Sequence, residues 1–233
     1  MVDASVGGKT GINFGGLKNE IGVFRNADSV ILDTTFLKTL DRENLLSGYA
    51  EMLKHALIDS EEHWAGLVTF DWSAQVSDLS PLTSHLSPLL AKSVAVKQRI
   101  VTEDPTERGL RKALNLGHTA GHAFESLALE RTPILHGYAV AYGLVVELYL
   151  SHMKTGFPAD RLRQTVQFIK QHYGRMTITC DDYPQLLQLM RHDKKNVGAD
   201  INFTLLGGIG DIRINQTATD DEIQEALDFY REY

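Results

Sequence analysis

The run "ILHGYAVAYGLVVELYL", residues 134–150, most constrains what this 233-residue chain can fold into. Nearly every position is apolar, and a helix without a polar face needs neighbours on all sides. His136 and Glu147 interrupt the run, and its length is marginal for crossing a bilayer. It therefore predicts a buried core helix. Composition agrees, since 43% hydrophobic and 23% charged residues are ordinary for a soluble globular protein. The balance of 23 basic against 30 acidic residues argues against nucleic acid or an acidic membrane as partner, though not against a small anion held in a local basic pocket. Cys180 stands alone, which excludes an internal disulfide and a cysteine-based zinc site and fits a cytoplasmic setting.

The texture changes along the chain. Residues 1–33 hold six of the 19 glycines and no helical period, and "SVILD" at 29–33 reads as a short strand. From Arg42 the pattern is helical, beginning with "RENLLSGYAEMLKHALID". Further helices are expected near 79–102, 108–130, 136–154, 159–172, 183–193 and 220–231. Gly156 and Pro158 end one of them, and Thr219 with Asp221 and Glu222 starts the last. "INFTLLGGIGDIRIN" at 201–215 predicts two strands around a glycine turn. Residues 60–80 are the least patterned and read as a loop. The fold class expected is mainly α, preceded by a glycine-rich extended segment.

"LNLGHTAGHAFE", residues 114–125, puts His118 and His122 four apart, on one helical face. His136 heads the next helix, and antiparallel packing would return it toward that pair. Glu51 lies beside an apolar stripe in "YAEMLKHA". Glutamate with two histidines is a donor set that catalytic zinc takes, with a position left for water or substrate. Spacing alone leaves open a metal pair, a catalytic pair and a solvated polar pair. His63, His85, His152 and His172, among polar neighbours, read as surface residues. "VGGKTGIN" offers backbone N–H groups and Lys9 to an anion without the spacing of a Walker loop. Lys18, Asn19, Lys97, Arg111 and the "DKKN" run at 193–196 add candidate cations and amides; Arg111 stands out because it leads into the helix with both histidines.

In order along the chain, "VDASVGGKTGIN…KNEIG", "GYAEMLKHALI", "LRKALNLGHTAGHAFE", "LHGYAVAYG" and "DKKN…LLGGIG" together resemble the 3-dehydroquinate synthase family, from residue 2 to about residue 210. The resemblance implies an α/β NAD-binding domain followed by a helical metal-binding domain. Residues 1–40 then correspond to the tail of the first and 41–233 to the second, with most of the NAD-binding domain absent. It implies that 3-deoxy-D-arabino-heptulosonate 7-phosphate is cyclised to 3-dehydroquinate with loss of phosphate, in the shikimate pathway of aromatic amino-acid biosynthesis. NAD and zinc, with cobalt as an alternative, are the implied cofactors. It also implies Glu51, His118 and His136 as metal ligands and His122 as a proton-transfer group. Catalytic and substrate-binding positions would be Lys97, Arg111, Asn115, Asp3, Lys9, Asn19, Lys54 and Lys194, with Lys195 competing for the last. Lys18, Phe36, Thr39 and Leu40 would touch NAD.

Three further expectations follow from the resemblance. The full-length enzyme should be a homodimer, and this chain alone should turn over negligibly. Tyr138, where the family commonly has glutamate after the histidine–glycine pair, could retune the site by removing a supporting carboxylate. Rival functions are another sugar-phosphate cyclase, such as 2-deoxy-scyllo-inosose synthase, an iron-dependent alcohol dehydrogenase, or a metal-binding domain without turnover.

Overall fold

The computed structural model describes residues 1–14, 17–72, 79–192 and 201–233. Side chains 13, 14, 17–20 and 79–83 lie outside the described set. Among the described residues, eight α-helices follow an N-terminal hairpin. The hairpin strands are β1 (Lys9–Phe14) and β2 (Leu17–Phe24), antiparallel with Lys9 opposite Phe24. The helices are α1 (Arg42–Leu57), α2 (Glu61–Val68), α3 (Leu79–Glu103), α4 (His118–Leu129), α5 (His136–Thr155), α6 (Ala159–Tyr173), α7 (Tyr183–Arg191) and α8 (Asp220–Glu232). A second antiparallel pair, β3 (Ile201–Gly208) and β4 (Asp211–Ala218), precedes α8.

The apolar run is the centre of the molecule. α5 packs against α1, α4, α6, α8 and β3, and Val140, Leu144, Val145, Val146 and Leu148 are fully buried. Each such side chain contributes about 1.5–3 kcal/mol by leaving water. α1 starts where the Asp41 carboxylate accepts from Asn44 N at 2.7 Å, and α8 starts with a reciprocal Thr219–Glu222 cap. No helix among the described residues is long and apolar enough to cross a membrane.

Four local expectations need correction. "SVILD" forms no strand, and among the described residues before 34 the regular structure is the hairpin, whose alternation the glycines had hidden. Residues 61–68 form α2, capped by the Ser60 hydroxyl accepting from His63 N. The helix expected over 108–130 is two pieces, a 3-10 turn at Leu110–Asn115 and α4. The break falls at Gly117, whose φ of 76° favours glycine. Lastly, His63 is buried, its Nδ1 3.2 Å from Asp59 Oδ2 and its Nε2 3.3 Å from Ser93 Oγ.

Candidate metal centre and anion cleft

α4 and α5 run antiparallel at very close range. A Cβ on Gly143 would stand 2.0 Å from the Gly117 carbonyl oxygen, so glycine is what allows the approach. Gly117 has no side chain with which to cap α4. Glu147 reaches across from α5 instead, Oε2 accepting from Gly117 N at 2.6 Å and Oε1 from Ala120 N at 3.1 Å. The start of α4, and with it His118, is thereby fixed to α5.

His118, His122 and His136 form a cluster, with ring centroids 5.4–5.9 Å apart. Glu51, from buried α1, presents Oε1 to two of them, 3.5 Å from His118 Nε2 and 3.2 Å from His136 Nε2. The opposite ring nitrogens are engaged: His118 Nδ1 is 3.1 Å from the Leu116 carbonyl and His136 Nδ1 2.9 Å from Glu125 Oε2. With Nδ1–H used in that way, the two Nε2 atoms both face Glu51, so two nitrogens and an oxygen converge where a cation would take the place of a proton. A tetrahedral ion with ligand bonds of about 2.0–2.1 Å has edges near 3.3 Å. Donor type and spacing fit zinc. One nitrogen from each of the three histidines also lies within 4.8 Å of the others, so His122 is in reach of the same point. Burial lowers His118 to about 3 despite Glu51 beside it. Burial pulls His136 the same way, but Glu125 and Glu51 raise it to about 9.

A second cluster adjoins the first. Asp3 faces Lys54 Nζ at 3.2 Å, His55 Nε2 at 3.1 Å and Lys97 Nζ at 2.8 Å. Lys54 also reaches Glu51 Oε2 at 2.6 Å. Burial alone would raise the Asp3 carboxyl and Glu51 adds to that, but Lys54, His55 and Lys97 hold it far below the ordinary range. Lys54 is raised, burial being outweighed by Asp3 and Glu51, whereas burial leaves Lys97 lowered. Asp3, Glu51, Lys54 and Lys97 line a cleft of about 1120 Å³ that also takes in Lys9, Glu107, Arg111, Asn115, His122 and His136.

The loop before α4 carries the remaining polar groups. The Asp104 carboxylate accepts from the backbone N–H of Arg108, Gly109 and Arg111, and Glu107 sits at φ 61° within this turn. Glu107 pairs with Lys9 and accepts from Asn115 Nδ2 at 2.7 Å. Arg111 is buried and donates to the carbonyls of Gly7 and Pro105 at 2.6 and 2.7 Å. In this arrangement its guanidinium ties the hairpin to the helical body.

The described candidate residues are thus largely brought together, Phe36 and Thr39 excepted. Leu40 lines the cleft, but Phe36 and Thr39 do not; Phe36 is 70% exposed on a 3-10 turn at Thr34–Thr39. The side chains of Lys18 and Asn19, on β2, and all of Lys194 and Lys195 lie outside the described residues. Tyr138 does not stand in for a carboxylate at His136; its ring packs against Tyr142 and Tyr173. Sequence reasoning missed Glu107, which sits in a charged, unpatterned loop, and His55 beside Asp3. It also passed over Glu125, three residues after His122 and seven after His118, although that spacing places all three on one face.

The chain is similar to known proteins over its whole length. Residues 48–196 match the family model for the 3-dehydroquinate synthase C-terminal domain and residues 1–47 that for the N-terminal domain. It is 58% identical to a 3-dehydroquinate synthase of Parabacteroides distasonis over 99% of this chain and 64% of that protein. It is 39% identical to the Leptospira interrogans enzyme of the same name over 92% of this chain and 59% of that one. The chain therefore spans less than two thirds of the length of these curated relatives. Among solved structures, 2-epi-5-epi-valiolone synthase from Streptomyces hygroscopicus, with NAD+ and Zn2+ bound, matches with a TM-score of 0.83 and 25% identity, covering 99% of this chain and 63% of that one. 2-Deoxy-scyllo-inosose synthase, complexed with carbaglucose-6-phosphate, NAD+ and Co2+, shares the fold with a TM-score of 0.79 at 21% identity and the same coverage.

Proposed function

The chain belongs to the 3-dehydroquinate synthase family, and from that premise we propose that it forms the metal- and substrate-holding part of an enzyme converting 3-deoxy-D-arabino-heptulosonate 7-phosphate to 3-dehydroquinate and phosphate. One observation carries this furthest: Glu51 Oε1, His118 Nε2 and His136 Nε2 converge inside a cleft lined with lysines and Arg111. Those three residues would hold zinc, with cobalt as the alternative ion. Zinc supplies Lewis acidity at substrate hydroxyls, and NAD supplies a hydride acceptor.

The chain's own residues bind and orient the rest. Lys9, Lys54 and Lys97, with Asn19 and Lys194, are assigned to the substrate's carboxylate and phosphate, for which compact ammonium groups are suited. Glu107 occupies Lys9 and Asn115 here, so an anion reaching them displaces that carboxylate. Arg111 and Asp3 keep the hairpin and the lysines in register. His122, beside the metal point and partly exposed, is assigned to proton transfer near the leaving phosphate. Holding one flexible sugar in a reactive geometry is a large part of what such a cleft contributes. Lys18, Phe36, Thr39 and Leu40 are assigned to the NAD side, with residues 1–40 as the tail of the nucleotide-binding domain; the N-terminal family model, which matches residues 1–47, supports two parts but puts the boundary a few residues later. The binding partner is a small anion rather than nucleic acid or a membrane, the setting is cytoplasmic, and the full-length enzyme is a homodimer.

Zinc content of the purified chain, by elemental analysis beside His136→Ala, is the test. Near-stoichiometric zinc that the substitution abolishes is expected, and equal content in both proteins would overturn the ligand set. We further propose that these 233 residues alone have negligible cyclase activity. NAD-dependent phosphate release from the heptulosonate phosphate, above a His118→Ala control, would refute that.

A further inference from the structure

We propose that Glu125 is the positioning residue of the metal centre, the carboxylate that fixes the orientation and tautomer of His136; this rests on the assignment of His136 as a ligand. His136 opens α5, on the helix's first turn, and its side chain is 40% exposed, against 11% for His118 and 1% for Lys54. Packing alone does not hold such a ring. Glu125 does: its side chain is 7% exposed, and Oε2 takes Nδ1 at 2.9 Å. It lies on the same face of α4 as His118 and His122, so one helix supplies a ligand, the neighbouring imidazole and the support for a ligand on the next helix.

The chemistry follows from where the proton goes. An imidazole whose Nδ1–H is given to a carboxylate is left with Nε2 as its metal-binding nitrogen once a cation displaces the proton there, and the anionic acceptor makes that nitrogen a stronger donor. His118 receives weaker support, from the Leu116 carbonyl, a neutral acceptor. The two histidines are thus unequal ligands, and the exposed one has the charged support. Tyr138, packed on Tyr142 and Tyr173, has no part in it. A tyrosine there is compatible with metal binding because the supporting carboxylate comes from the opposite helix.

Zinc affinity measured by chelator competition on the full chain tests the assignment, with Glu125→Leu, Glu125→Gln and Tyr138→Phe compared. Glu125→Leu should weaken binding roughly 10–100-fold. Glu125→Gln, which keeps an acceptor oxygen without the charge, should recover part of the loss, and Tyr138→Phe should be unchanged. Cobalt absorption bands should shift in Glu125→Leu, a change that loss of a merely structural contact would not produce. Leucine and wild-type proteins with the same affinity and the same cobalt spectrum would overturn the proposal. A second readout needs no metal. Wild-type protein should show a hydrogen-bonded His136 Nδ1 proton by nuclear magnetic resonance, and Glu125→Leu should lose it. If the wild-type chain binds no zinc, the ligand assignment fails, and persistence of that proton in Glu125→Leu would separately refute the role of Glu125.

Discussion

Helices α1, α4 and α5 keep their functional side chains among buried neighbours, while the β1–β2 hairpin carries Lys9 on a ribbon open to solvent. Val145 on α5 is fully buried; Ile12 and Ile21 on the hairpin are 67% and 58% exposed. A two-stranded ribbon is marginal by itself. Among the described residues, it and the segment before it are joined to the body mainly through polar contacts, Arg111 on Gly7, Lys9 on Glu107, and Lys54 and Lys97 on Asp3, with Arg111 also over the Phe24 ring and Val2 the one core residue of that segment. The candidate metal point is therefore set by close packing, and the anion-binding side by charge. Changes to one side should leave the other recognisable.

The packed side should fail first and most. In Gly143→Ala the new methyl meets backbone, Gly117 O at 2.0 Å and Gly121 N at 2.6 Å, so no side chain can swing away to make room. We expect a loss of about 3 kcal/mol in denaturant unfolding, with zinc affinity falling because His118 starts the displaced helix. Gly48→Ala, where the methyl meets nothing within 4 Å, is the matched control. It sits inside α1 and should be neutral or stabilising by up to about 1 kcal/mol. Equal losses in the two variants would mean that the α4–α5 approach is not the constraint claimed.

Glu147→Gln is the subtler break on the same side. Both carboxylate oxygens accept from backbone N–H groups, and an amide turns one acceptor into a donor facing a donor. A cost of about 1–3 kcal/mol in the unfolding midpoint is expected, with no unfolding of the hairpin ahead of the body. An unchanged midpoint would remove Glu147 from its place as the cap of α4.

How much of this the sequence carried differs between the same two regions. The buried run at 134–150 announced α5, and the i, i+4 histidines announced one face of α4, because helical periodicity repeats over many residues. Glu51 stood out as a carboxylate beside an apolar stripe. The hairpin and α2 were not legible: six to eight residues give few periods, and glycine-rich strands lose the alternation that marks them. Gly117 was read as part of one long helix, since a break made by a single left-handed residue leaves no pattern. Glu107 and Glu147 act through neighbours distant in sequence or through an irregular loop, and no spacing encodes that. Glu125 is the instructive miss, because its spacing was present and only the partner on α5 was unknown.

The smallest expected effect gives the sharpest comparison. Ile21→Thr and Val145→Thr each bring in a β-branched hydroxyl residue, one on the exposed strand and one in the buried helix. In α5 the hydroxyl enters an apolar centre, and about 1–3 kcal/mol should be lost. On β2 the substitution removes an isoleucine already 58% exposed and keeps a residue that strands accept, so the change should stay within about 0.5 kcal/mol. Parallel unfolding curves over a range of protein concentration would measure both. If Ile21→Thr instead cost as much as Val145→Thr, and more at high concentration than at low, the open face of the hairpin would be covered in solution by a second copy of the chain. The division between a packed side and a charge-held side would then describe the isolated chain but not its assembly.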